Sequence, residues 1–138
     1  MLATVAPFVT LVLLLVWMSF FMLGSLPLMI LKHDTPQDAR FIRGLFDVYY
    51  KAVMVVAGAG TLAHAATQRP VMTAAMAALA AVAFLSRRVI LSRMDDLRAS
   101  MTASDAARIR RFRRLHVAGM VLNVVQLLAI CLSLPLVL

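Results

Sequence analysis

The sequence predicts an all-α integral membrane four-helix bundle with a basic, helical connection on one side. Three observations lead there. Hydrophobic residues make up 63% of the 138 and charged residues only 14%, against roughly half and about a quarter in ordinary soluble domains. The apolar residues gather in four runs near the length needed to cross a bilayer. Nearly all the basic residues lie in two of the connections between runs. This composition argues against a soluble enzyme, a secreted disulfide scaffold and a disordered tail.

The first run, residues 2–31, has no charged side chain. About 20 apolar residues span the hydrocarbon, so the run suffices even with a break near Pro27. No Lys or Arg precedes it and its apolar stretch exceeds that of a signal peptide, so a retained span is expected over about 7–30. The second span is expected over about 46–67. Lys51 lies in its first turns, where its stem can carry the ammonium out to water, and His64 lies near its end. Tyr49 and Tyr50 read as interfacial anchors. Ala57, Thr61 and Ala65 repeat a small residue every four positions, which favours close helix approach.

The third span opens on Pro70, a residue suited to a first helical position. Seven of the ten residues 74–83 are Ala, a natural neighbour for the small-residue face of the second span. On its own this run is short. Extension through Arg87 and Arg88, both snorkelling, to Leu91 gives a span over about 70–91. The fourth span, about 116–137, includes 22 uncharged residues from Val117 onward. The single cysteine, Cys131, forms no internal disulfide and reads as a small core residue. One domain covers residues 1–138, with no low-complexity linker or evident repeat.

Orientation follows from charge. The formal net charge is +8, from 14 Lys plus Arg and 6 Asp. Lys32, Arg40, Arg43 and Lys51 lie at the first connection, and nine arginines from Arg87 to Arg114 at the third. These share one side of a four-span protein and hold 13 of the 14 basic residues, leaving Arg69 on the other. The positive-inside bias then places both connections in the cytoplasm and both termini outside, periplasmic for an inner-membrane protein. The third connection reads as two helical pieces. The segment 92–98 is mixed in charge. A second helix, capped by Thr102 or Ser104 with Asp105 in its first turn, runs through Arg108, Arg110, Arg111, Arg113 and Arg114 into the fourth span. This basic helix is expected to rest on anionic lipid headgroups. Nucleic acid is not an expected partner, because no reader fold accompanies the charge. A second copy or another membrane protein is the other partner expected.

The candidate functional residues are few. His116, Gly119, Asn123, Gln126 and Ser133 advance by 3, 4, 3 and 7 positions, which aligns them on one side of a helix. Polar groups in lipid need partners, so this stripe should face the bundle and either fasten helices or line a route. Asp47 has Arg43 or Arg114 as candidate partners. His64 and His116 stand near opposite membrane faces, roughly 20–25 Å apart in depth at a rise of about 1.5 Å per residue. They do not suit one haem or one metal. His33 has Asp34 beside it but no Cys/His cluster. No phosphate-loop, dinucleotide, HExxH or GxSxG motif occurs. No cofactor, metal or catalytic residue is therefore expected.

The segment Arg111-Phe-Arg-Arg-Leu-His116, followed by Gly119-Met-Val-Leu-Asn123 and Gln126-Leu-Leu, resembles the DUF4149 / TMEM205-like family of small multi-span membrane proteins. Ile90-Leu-Ser-Arg-Met-Asp-Asp-Leu-Arg98 is similar as well, as are the Gly24 and Pro27 region and residues 46–50. The likeness extends over nearly the whole chain, with its strongest part in about 35 residues. It implies a four-helix inner-membrane domain in which a recurring His and Asn match His116 and Asn123. A Ser often stands where this chain has Gly119. The family brings no catalytic mechanism with it. The leading expectation is a non-enzymatic structural or accessory membrane protein. The alternative is a small transporter or permease subunit with a polar route along the fourth span. A redox or quinone-binding role has the least support from spacing.

Overall fold

The computed structural model describes residues 2–30, 35–100 and 105–136, and every element in them is helical. Helix α1 is Leu2–Leu28, α2 is Pro36–Ala66 and α3 is Pro70–Ser86. A π-helical turn, Arg87–Leu91, continues α3 without a break into α4, Ser92–Ala99. Helix α5 is Ala106–Ser133, and a 3-10 turn, Leu134–Leu136, follows. Four stretches are long and apolar enough to cross a membrane: Val5–Leu28, Pro36–Ala66, Pro70–Ala99 and Ala106–Ser133. The protein is thus an all-α bundle of four long helices. Only 17–33% of the residues in the apolar windows are buried inside it. The outward residues are apolar too, with Phe20, Leu23, Val55, Leu62 and Leu132 all more than 60% exposed. Helices with so much outward apolar surface have the composition of membrane spans.

The helices begin and end beyond the apolar runs. Thr35 caps α2 by accepting the Asp38 N–H at 3.1 Å, with Pro36 in the first turn. This satisfies an otherwise orphaned donor well before the apolar residues begin. At its far end α2 closes on two bonds, Gln68 N–H to the Ala65 carbonyl and Arg69 N–H to the His64 carbonyl, both 3.0 Å. Gln68 adopts φ 54° there, the left-handed conformation that commonly ends a helix and usually belongs to Gly. Pro70 opens α3 directly after. Asp105 caps α5 by accepting the Arg108 N–H at 3.1 Å. Asp105 is thus the cap itself, where the sequence suggested Thr102 or Ser104; those two lie outside the described residues.

Helix α2 is the centre of the bundle and packs on α3 and α1, its neighbours in the chain. Helix α5 lies against α1 and touches α2. Each helix presents one stripe. Leu11, Leu14, Met18, Phe21 and Ser25 of α1 are buried, and so are Ala39, Ile42, Phe46, Tyr49, Val53, Ala57, Gly60 and His64 of α2. Steps of three and four residues keep such positions on one face. At the Arg69 end, Gly60 admits both neighbours. A Cβ on it would sit 3.3 Å from Met76 Sδ and from Thr10 Oγ1. The close approach of α2 and α3 thus includes Gly60, while of the expected small-residue repeat Ala57 is buried, Thr61 half-buried and Ala65 exposed. Cys131 is exposed as well and is not a core residue. In lipid an apolar environment exists outside the protein as well as within it.

Candidate functional site

The polar stripe of α5 meets α2 inside the bundle. His116, Gly119, Asn123 and Gln126 are all buried, and Ser133 is half-buried. Asn123 Nδ2 donates to the Tyr49 hydroxyl at 2.7 Å, and that hydroxyl donates to Gln126 Oε1 at 3.1 Å. Tyr49 therefore joins two side chains three residues apart on the facing helix. The sequence placed Tyr49 and Tyr50 at the membrane interface, but both are buried, at 2% and 0% exposure. They belong to the inward stripe of α2 with Phe46 and Val53. The positions i, i+3, i+4 and i+7 carried that signal.

An aromatic cluster surrounds the junction. Phe21 stacks on Tyr49 with ring centroids 4.0 Å apart and meets Phe46 edge-on at 5.0 Å. His116 packs edge-on against Phe46 at 5.6 Å. The Phe46 ring lies directly on Gly119, where an added Cβ would overlap it. A Ser at this position does not fit beside Phe46 as it stands. Gly119 is needed for space, and the ring lies on bare backbone.

The Tyr49 phenol lies between two carboxamides and is hydrogen-bonded to both. Asn123 Oδ1 and Gln126 Nε2 are buried without a hydrogen-bond partner among the described residues, as are both ring nitrogens of His64. His64 sits one turn beyond Gly60 on α2, away from Asn123 and Gln126. No group of three or more His, Cys, Asp or Glu among the described residues is arranged to hold a metal. His33 and Asp34 lie outside those residues.

Charged side chains gather at the arginine-rich end of the bundle. Asp47 pairs with Lys51 at 2.7 Å and with Arg87 at 2.8 Å, and with neither candidate suggested by the sequence. Lys51 is one turn along the same helix, and Arg87 is the first residue of the π turn. Arg43 makes a forked contact with Asp95, with Nε at 3.0 Å from Oδ1 and Nη2 at 2.9 Å from Oδ2. Arg98 joins the same carboxylate at 3.5 Å. The Arg43–Asp95 pair docks α4 onto α2, and Arg98 holds the carboxylate from within α4. Arg108 pairs with Asp105 at 2.8 Å and donates to the Ser100 carbonyl at 2.9 Å, which links the residue after α4 to the start of α5. Arg113 donates to the Met29 carbonyl at 3.3 Å, tying α5 to the end of α1. Arg110, Arg111 and Arg114 are exposed and form no ion pair with the described residues.

A cleft of about 290 Å³ opens between α3 and α5, walled by Met72, Met76, Leu79, Val125 and Ile130, with Gln126 at its edge. No family model, curated protein or solved structure matches the chain.

Proposed function

We propose that this chain is a non-enzymatic integral membrane protein acting as a structural or accessory component of the inner membrane. It crosses four times, with the arginine-rich end in the cytoplasm and both termini outside. The family resemblance belongs to the same reading. The observation that carries it is the convergence of Asn123 and Gln126 on Tyr49. The polar side chains of α5 engage a neighbouring helix, as polar residues do when they hold membrane helices together. The placement of 13 of 14 basic residues supports the orientation. Exposed Arg110, Arg111 and Arg114 then contact anionic headgroups. An accessory component needs a companion. Extraction in mild detergent should recover the chain with a reproducible membrane-protein partner or as a self-associated species. A monomer with no companion across several mild detergents would contradict this role.

A small transporter or permease subunit is the second reading, favoured by the cleft between α3 and α5 with Gln126 at its edge. Solute flux in reconstituted vesicles, lost on changing Asn123 and Gln126 to Leu with the fold retained, would establish it.

A further inference from the structure

A second cleft, of about 500 Å³, lies between α4 and α5 at the arginine-rich end. Its charged wall is Arg93 and Asp96 from α4 with Arg111 and Arg114 from α5. Each pair is three residues apart and so projects from one face of its helix. Leu97 and Leu115, one position beyond Asp96 and Arg114, supply an apolar lining between the charges. The adjacent acids of α4 have different tasks. Asp95 is held by Arg43 and Arg98. Asp96 lines the cleft and its carboxylate forms no ion pair among the described residues. The three arginines of the wall likewise form no ion pair there.

Three guanidinium groups and one carboxylate over an apolar lining define a particular ligand chemistry. Guanidinium groups take a phosphate in forked, charge-assisted hydrogen bonds. A carboxylate takes a compact primary ammonium, which has donors that a quaternary ammonium lacks. The leucines receive the first carbons of an acyl chain. We infer that this cleft binds one phospholipid whose headgroup carries both a phosphate and a primary amine. The inference rests on the four-span orientation and headgroup contact proposed above, and adds to them a defined site with headgroup selectivity. The apolar lining favours the lipid over a soluble phosphate ester of the same headgroup.

The test uses the full-length protein in mild detergent, with retained lipid identified by native mass spectrometry. Phosphatidylethanolamine and phosphatidylcholine, which have the same net charge, are supplied in equal amounts. One phosphatidylethanolamine should be retained about ten-fold over phosphatidylcholine, the scale of a hydrogen bond to a charged group. Soluble glycerophosphoethanolamine should not displace it. Asp96→Asn should abolish the preference while phospholipid is still retained. Arg111→Gln combined with Arg114→Gln should lose the retained lipid, with helix content unchanged by circular dichroism. Equal or greater retention of phosphatidylcholine by the wild type, or an Asp96→Asn protein that keeps the preference, would overturn the aminophospholipid site and leave general headgroup contact standing. Displacement by the soluble ester would assign the cleft to free phosphate esters instead. Retention of every lipid unchanged by the double arginine substitution would overturn both the site and the headgroup contact.

Discussion

Helix α5 has one side closed against α2 and another left open towards α3. On the closed side the Phe46 ring covers the bare backbone of Gly119, and Asn123 and Gln126 reach Tyr49. On the open side Val125 and Ile130 face Met72, Met76 and Leu79 across a cleft of about 290 Å³. Both sides are rich in apolar atoms, so hydrophobicity does not explain the difference. Between helices in lipid there is no net hydrophobic drive, because lipid tails are as apolar as the side chains. The contacts that set the α2 side apart are the ring on bare backbone and the directed hydrogen bonds. The cleft on the other side is lined mainly by apolar side chains.

The contrast can be broken most severely at Gly119. Gly119→Val forces the added carbons into the Phe46 ring and should cost about 3 kcal/mol, as overpacking of a filled core does. Unfolding in mixed micelles by added dodecyl sulfate, followed by circular dichroism, measures it. Replacing Phe46 by Leu in the same chain should recover part of the loss. Tyr49→Phe is milder. It removes the hydroxyl from between Asn123 and Gln126 and should cost about 1 kcal/mol in the same titration, since hydrogen bonds within membrane bundles are worth little more. The smallest effect belongs to the open side. Ala78, on the α3 wall of the cleft, should accept Leu with a change below about 0.5 kcal/mol. A loss there as large as that at Gly119 would mean the two sides are equally closed.

The features legible in the sequence were those set by local pattern. Run length and the spacing from His116 to Gln126 identified the helices and the buried stripe of α5, because helical periodicity is a property of neighbouring residues. The partners across the bundle were less accessible. Asp47 to Arg87 and Arg43 to Asp95 join residues 40 and 52 positions apart, and several arginines at the same end were equivalent candidates. Tyr49 was misplaced because a tyrosine beside charged residues suits a membrane surface as well as a bundle interior. Its period with Phe46 and Val53 decides between them. Cys131 shows the converse limit. An apolar setting in this chain does not distinguish the inside of the bundle from its apolar outer surface. The ends of the helices were also obscured, since capping by Thr35 and Asp105 lies in polar segments that a hydropathy reading treats as connections.

Single cysteines in a Cys131→Ser background test directly whether the chain crosses the bilayer four times with its arginine-rich end inside, as proposed. Gln68→Cys, in the turn between α2 and α3, should react with a membrane-impermeant maleimide added to intact cells. Ser100→Cys, at the end of α4, should react only after the membrane is opened. Labelling of Ser100→Cys from outside, with Gln68→Cys protected, would invert the orientation, and equal labelling of both in intact cells would contradict the four-span account.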